Sequence, residues 1–185
     1  MKKIFCMFLF VCLVSSAYAQ KVHVSDKRIA NDTIVWHQNE PLKFTDFNDK
    51  PHGAITNEGL ACTGIVMYPE IINGKVNYYV KAIFVKSKSF MRDNSYYILE
   101  HEQLHFDIAE IYARLLREKL PETDLKKAKN TAQKIYDDLE HEEAKYDNET
   151  QHSINHVKQQ EWEDALKKQL LELDKYSAEK ISMTK

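Results

Sequence analysis

The composition of the chain changes near residue 92, and this change limits the fold more than any other feature of the sequence. Residues 20–92 carry short runs rich in β-branched and aromatic side chains, the clearest being residues 33–36, 64–68 and 76–85. Asn73-Gly74 separates the last two runs, and Asn-Gly in that position is typical of a tight hairpin turn. This part of the chain is therefore predicted to form a small, mostly antiparallel sheet.

The rest of the chain, residues 93–185, has the spacing of apolar residues expected of amphipathic helices. The pattern predicts three helices, over residues 96–119, 125–146 and 154–178. Pro121 ends the first, and the polar residues 147–150 are predicted to separate the second from the third. The predicted fold class is α+β, with the N-terminal sheet packed on the C-terminal helical part in a single domain over residues 20–185.

The first nineteen residues have the layout of a cleaved secretory signal. Lys2-Lys3 precede an apolar run over residues 4–14, and Ala17-Tyr18-Ala19 supplies a small-x-small cleavage site. Because about 11 apolar residues would span only half of a bilayer core, no stable membrane anchor is expected after cleavage. The chain is predicted to be exported, to a periplasm or to the extracellular space. With a net charge of −2, it is not expected to bind nucleic acid.

Residues 101–105 read His-Glu-Gln-Leu-His on the first predicted helix, which is an HExxH motif. At ~100° and ~1.5 Å per residue, His101 and His105 lie about 40° and 6 Å apart, so both imidazoles can reach one ion. Glu102 lies beside that face, where it can hold a water molecule bound to Zn²⁺ and accept its proton. The motif therefore predicts a zinc site with Glu102 as the catalytic base.

A catalytic zinc ion needs a third protein ligand. The extended form of the motif would require Gly at 108 and His at 111, but Ile occupies both positions. The downstream alternatives are His141, Asp147, Glu149, His152 and His156. His152 is favoured because it follows the predicted polar break, where a side chain can be directed back towards the first helix. Glu149 is the main alternative, and His141 is better explained as part of a solvated helix face.

Tyr146 is a further candidate, because its hydroxyl could donate a hydrogen bond to an oxyanion close to the zinc. The competing interpretation is an aromatic side chain that packs at the end of a helix.

Several of these segments resemble the DUF922 family, whose members are inferred from their HExxH motif to be secreted zinc-dependent proteases. The resemblance lies in residues 101–117, in the YDxxTxH pattern of residues 146–152 with Trp162, and in an opening W…L…DF…P segment from Trp36. The chain has Leu104 and Ser153 where the family usually has glycine, and neither position is a candidate ligand. The resemblance implies a zincin-like peptidase.

These features together predict an exported zinc metallopeptidase that hydrolyses peptide bonds in a peptide or protein substrate. Two alternatives remain. One is a non-catalytic envelope protein in which the metal is structural or absent and the helices serve an interaction. The other is a zinc amidase that acts on a non-peptide amide.

Overall fold

The computed structural model describes residues 31–51, 57–72, 75–122 and 125–182. The predicted signal peptide and the Asn73-Gly74 turn lie outside these residues. Within them, no helix combines the length and the apolar character that crossing a bilayer requires.

The described strands form one antiparallel sheet and one small strand pair. The central strand of the sheet, β4, runs from Lys75 to Val85, and its residues 75–84 pair with β3, Thr63–Ile72. On its other edge it pairs with β1, Thr33–Val35, and with β6, Lys180–Ser182. β2, Gly59–Leu60, pairs with β5, Phe90–Met91. The prediction of N-terminal antiparallel strands is confirmed.

Three long helices follow the strands, as predicted. They are α1, Tyr96–Lys119, α2, Leu125–Thr150, and α3, His156–Glu172. α1 lies against β3 and β4 and also contacts both other helices, so it passes through the middle of the protein. Its apolar side chains and the inward side chains of β4 share one core, which includes Val80, Ala82, Phe84, Leu104, Phe106, Ile108, Ile111 and Leu116.

Two predicted boundaries were wrong. The polar residues 147–150 do not break the chain but form the last turn of α2, where Thr150 Oγ1 donates to the carbonyl oxygen of Tyr146. The predicted third helix ends at Glu172, and β6 follows where helix and tail were expected. A three-residue strand has little local signal, because its stability comes from hydrogen bonds to β4 about 100 residues earlier in the chain.

The segment after β1 is held against α1 by side-chain hydrogen bonds. Trp36 Nε1 donates to Asp107 Oδ1 at 2.8 Å, and Gln103 Nε2 donates to the same oxygen at 2.8 Å. Gln103 Oε1 in turn accepts from the backbone N–H of Leu42 at 2.8 Å. These contacts fix one side of the helix that carries the HExxH motif.

A buried ion network fixes the other half of α1. Glu110 accepts from Arg114 at 2.9 Å and from Arg117 at 2.8 Å, and all three side chains are almost fully buried. Arg117 also donates to the carbonyl oxygens of Val80 in β4 and Tyr176 near the C-terminus. One carboxylate therefore holds two guanidinium groups that join the helix, the sheet and the C-terminal segment.

We expect Glu110→Gln to destabilise the protein by about 3–5 kcal/mol, because it removes the buried carboxylate that compensates both guanidinium groups. Among the described residues, Arg114 then keeps only the exposed Asp174 at 3.8 Å as an acidic partner. Urea unfolding followed by circular dichroism measures the change. Glu172→Gln is the matched control, since Glu172 forms an exposed pair with Lys168 and should cost less than ~1 kcal/mol. Equal effects of the two substitutions would contradict the structural role of the network.

Candidate functional site

The two histidines of the HExxH motif face the last turns of α2. His101 Nε2 lies 3.4 Å from Asp147 Oδ1, and His105 Nε2 lies 3.2 Å from the same oxygen. The ligand atoms of these three residues all lie within 4.8 Å of one another. Among the described residues, this is the group of histidine, cysteine and acidic side chains that could hold a metal ion.

Asp147 reaches the histidines because α2 continues past the predicted break. Tyr146 and Asp147 sit in consecutive positions of an unbroken helix that packs against α1. Thr150, one turn later, is fully buried, and its hydroxyl donates a hydrogen bond to the carbonyl oxygen of Tyr146. The helical conformation therefore directs the Asp147 carboxylate at α1, where an extended segment would not hold it.

Asp147 sets the charge of the group. Burial favours the neutral form of its carboxyl, but hydrogen bonds from His101 and His105 and the charges of His105 and His152 lower its pKa. Burial likewise lowers the pKa of His101. Burial also opposes the charged form of His105, yet the hydrogen bond and the charge of Asp147 raise the pKa of His105 to about 9. In the absence of a metal ion, His105 is thus an imidazolium and Asp147 a carboxylate.

Glu102 occupies a separate, buried position next to this group. Its Oε2 accepts from the backbone N–H of Ala61 at 2.6 Å, just after β2. Burial raises the pKa of Glu102 to about 7, although the charge of His105 and the Ala61 hydrogen bond act in the opposite direction. A carboxyl group with a pKa near neutrality can both accept and return a proton, which suits a general base.

Gly59 allows β2 to pass this close to Glu102. A Cβ atom at Gly59 would lie 2.5 Å from Glu102 Oε1 and 3.0 Å from Ile98 Cγ2. No side chain fits there without displacing the carboxylate. The β2 segment and the HExxH helix therefore form one unit around Glu102.

Tyr146 lies inside the protein, behind the histidines. It is fully buried, and its hydroxyl oxygen lies 2.8 Å from His101 Nδ1. Its ring stacks on the His101 ring and meets the rings of His105 and Trp162 edge-on. This position suits a residue that orients a histidine. It does not suit the predicted contact with a substrate oxyanion.

His152 lies at the edge of the group, in an unusual turn. Gln151, His152 and Ser153 all have positive φ angles, of 52°, 52° and 72°. Non-glycine residues rarely adopt this conformation, and strained residues cluster at functional sites. The turn directs His152 Nδ1 to 3.2 Å from Asp147 Oδ1, while 47% of the side chain stays exposed. His152, predicted as the third ligand, thus contacts the group of His101, His105 and Asp147 without belonging to it.

The other candidate ligands lie elsewhere. Glu149 Oε2 accepts from Trp162 Nε1 at 2.9 Å, which directs this carboxylate away from the histidines. His156 stacks on the ring of Tyr97 with 3.8 Å between centroids. His141 is exposed on α2. Of the alternatives considered from sequence, Asp147 is the one that the structure places against both histidines of the motif.

Glu143 is a nearby residue that sequence reasoning missed. It lies one helical turn before Asp147, accepts from Thr63 Oγ1 at 2.8 Å, and contributes negative charge at His105. Burial raises the pKa of its carboxyl. A signal was available, because positions 143 and 147 share one face of a helix, but the predicted break after residue 146 concealed it.

The two distances to Asp147 Oδ1 match the spacing of ligand atoms in a tetrahedral metal site. With metal–nitrogen and metal–oxygen distances near 2.0–2.1 Å, neighbouring ligand atoms lie about 3.3 Å apart. The histidine nitrogens of His101 and His105 lie 3.4 and 3.2 Å from Asp147 Oδ1. Two imidazoles and one carboxylate are also a donor set that zinc commonly takes.

We expect the metal-free protein to lose stability as the pH rises from about 6.5 to about 9. His105 binds its proton more tightly when folded, with a pKa of about 9, than when unfolded, where the value is near 6.5. Its contribution is complete below pH 6.5 and disappears as the pH rises through about 9. Urea midpoints measured with a chelator present should follow this trend, and His105→Gln should flatten it. An equally steep trend in His105→Gln would contradict the assignment.

Comparison with known proteins gave one family and no individual relative. Neither the curated proteins nor the solved structures include a significant match to the chain. A family model described as a bacterial protein of unknown function (DUF922) matches residues 80–153. The matched segment contains His101, Glu102, His105 and Asp147 and ends just after His152. This match supports the assignment of the chain to the DUF922 family.

Proposed function

We propose that the protein is an exported zinc metallopeptidase, with His101, His105 and Asp147 as zinc ligands and Glu102 as the catalytic base. The observation that carries this proposal is the convergence of the two HExxH histidines on one carboxylate oxygen, at 3.4 and 3.2 Å. A zincin-like mode of action follows from the same motif.

The residues present fit a zinc ion by number, type and spacing. Three protein ligands leave one coordination position for water or substrate, as catalytic zinc sites require. A bound zinc ion would supply a Lewis acid that polarises the scissile carbonyl group and lowers the pKa of a water molecule.

Glu102 is suited to the proton transfers of peptide hydrolysis. Its carboxylate accepts the proton of the attacking water and then returns it to the leaving amine nitrogen, so no net proton is consumed at the enzyme. The Ala61 N–H holds Oε2 in place at 2.6 Å, which fixes the orientation of the carboxylate. A pKa of about 7 keeps both protonation states accessible at neutral pH.

The substrate would be a peptide or protein outside the cytoplasm, since the first nineteen residues have the layout of an export signal. The same residues could hydrolyse a non-peptide amide, because the bond broken is chemically alike. Substrate profiling separates these two readings.

A second candidate function is supported by the position of His152. Its Nδ1 lies 3.2 Å from Asp147 Oδ1, the same distance as His105 Nε2. If His152 also binds the ion, four protein ligands close the coordination sphere, and such sites are structural. The protein would then be a non-catalytic envelope protein.

Comparing Asp147→Asn with His152→Asn decides between three and four ligands. Asparagine tolerates the positive φ at position 152, so the turn should persist. If the ion has three protein ligands, we expect Asp147→Asn to weaken zinc binding by more than about 100-fold. This loss exceeds the one expected for a residue that contacts a ligand but not the metal. His152→Asn should then cost less than about tenfold. Competition with a chromophoric chelator measures both. Comparable losses in the two variants would favour the structural site.

Glu102→Gln tests the catalytic proposal. Glutamine keeps the acceptor for the Ala61 N–H and the size of the side chain, so zinc should stay bound. We expect turnover of a peptide library, read by mass spectrometry, to fall by about 10²–10⁴-fold, the usual contribution of a general base.

Glu100→Gln is the control for this substitution, since Glu100 is exposed and lies two residues earlier on the same helix. It should leave turnover unchanged. Wild-type activity in Glu102→Gln would refute the mechanism.

A further inference from the structure

A cavity of about 410 Å³ lies beside the buried ion network of α1. Its wall is formed by the segment that follows β1, by the second half of α1 and by residues between 174 and 179. Cavities of about 300–1,000 Å³ are typical of sites for small molecules. Arg114 lines this cavity and lies nine residues after His105, which is about 13.5 Å along the helix. The cavity is therefore separate from the candidate metal site.

The ion network at this cavity holds two positive charges and one negative charge. Arg114 and Arg117 are 2% and 3% exposed, and both donate to the buried carboxylate of Glu110. Their other hydrogen bonds go to backbone carbonyl oxygens, such as those of Leu170 and Val80, which carry no net charge. Because a buried charge is costly unless an opposite charge compensates it, the network favours an additional anion.

The other acidic side chains at the cavity wall compensate this excess charge only weakly. Asp174 Oδ1 lies 3.8 Å from Arg114 Nη1, which is too far for a hydrogen bond, and 69% of the Asp174 side chain is exposed. An exposed contact of this kind stabilises little. Glu179 is engaged by Lys81, whose Nζ lies 2.8 Å from Glu179 Oε2. The cavity wall therefore offers a positive charge to a ligand.

Arg114 keeps one amino group for such a ligand. Its Nε donates to Glu110, and its Nη1 donates to the carbonyl oxygen of Leu170 at 2.7 Å. Within the described part of the protein, Nη2 has no hydrogen-bond partner. It is also not one of the enclosed polar atoms that lack a partner, so it keeps access to the cavity. The indole ring of Trp36, with its centroid 5.3 Å from the guanidinium carbon, holds the group in place.

We propose that this cavity binds a small organic carboxylate, one oxygen of which accepts a hydrogen bond from Arg114 Nη2. Hydrogen bonds between guanidinium and carboxylate groups are charge-assisted and are among the strong ones in proteins. The volume leaves space for an organic group beside the indole of Trp36. His37, Gln38 and Ser177 also line the cavity, and their side chains can donate further hydrogen bonds.

A single negative charge suits this cavity better than two. The network has an excess of one positive charge, and the carboxyl groups of Glu110, Asp174 and Glu179 also line the cavity. A phosphate group, with a charge of about −1.5 to −2, would exceed that excess and be repelled by these carboxylates. The proposal is independent of the proposed function, because it uses neither the histidines of the motif nor Glu102.

The test titrates the protein with benzoate, with benzamide and with inorganic phosphate. Benzamide has the shape of benzoate without its charge. Isothermal titration calorimetry measures each affinity, with and without phenanthroline, a neutral chelator that removes metal ions without adding a carboxylate.

The indole N–H signals in ¹H–¹⁵N NMR spectra show where benzoate binds, because the chain has two tryptophans. Trp36 lines the cavity, whereas Trp162 packs against Tyr146 behind the histidines. Trp162→Phe assigns the two signals.

We expect benzoate to bind with and without the chelator and to shift the Trp36 signal but not the Trp162 signal. Benzamide should bind at least about tenfold more weakly, since it lacks the charge-assisted hydrogen bond, and phosphate should bind more weakly than benzoate. Arg114→Gln should weaken benzoate binding by about 10–100-fold, the usual effect of losing a hydrogen bond between charged groups.

Two exposed positions decide the matter if Arg114→Gln does not fold. Asp174→Asn removes a competing negative charge and should strengthen benzoate binding by about 2–5-fold, as expected for one exposed charge. Gln38→Glu adds a negative charge to the wall and should weaken it by a similar factor. Asp137→Asn makes the same charge change as Asp174→Asn on the exposed side of α2, and it should leave binding unchanged.

Failure of benzoate to bind, or equal binding of benzamide, would overturn the proposal. So would a shift confined to Trp162, or loss of binding on adding phenanthroline, since either result would locate benzoate at the metal site. Tighter binding of phosphate would overturn the choice of a carboxylate. None of these results bears against the proposed peptidase. A protein that binds benzoate at Trp36 but binds no zinc would support this site and refute the proposed function.

Discussion

One carboxylate oxygen organises the centre of this protein. Three histidine nitrogens, from His101, His105 and His152, lie 3.2–3.4 Å from Asp147 Oδ1. Three imidazoles gathered without this charge would repel one another once protonated, and burial would drive them to the neutral state. The carboxylate instead keeps His105 charged at neutral pH. The contact between α1 and α2, the closing turn after α2 and the packing of Tyr146 all serve to hold this arrangement.

The fold class and the motif could be predicted from sequence, since both depend on local patterns. Short runs rich in β-branched and aromatic residues predict β3 and β4, and the stripe through Leu104, Ile108 and Ile111 predicts α1. The third residue of the candidate metal-binding group is harder to predict, because it depends on one helix boundary. The polar residues 147–150 predict a break in the chain, but Thr150 donates a hydrogen bond to the carbonyl oxygen of Tyr146 and the helix continues. Because the helix ends four residues later than predicted, at Thr150, it directs Asp147 at the histidines of the motif.

Other features of the site lay beyond sequence reasoning because they depend on contacts between distant segments. Nothing in the local sequence around Gly59 and Ala61 indicates that they contact Glu102. Ala61 and Glu102 are 41 residues apart in the chain. The hydrogen bond from Gln159 Nε2 to the carbonyl oxygen of Tyr97 likewise depends on α3 packing against the start of α1. At Ser153, by contrast, the local sequence does carry information about the backbone. Its φ is 72°, and the DUF922 family usually has glycine at this position. Glycine is the residue that adopts a positive φ without strain.

The pairing of β6 with β4 has a consequence for the order in which the protein can fold. Residues 180–182 complete the edge of a strand that begins at Lys75, and Tyr176 supplies a carbonyl oxygen to the buried Arg117. At about 5–20 residues per second, roughly 5–20 s separate the synthesis of β4 from that of its last partner. During this interval the nascent chain presents a strand edge of the kind that promotes aggregation. Final assembly of the sheet thus has to follow the synthesis of residues 180–182.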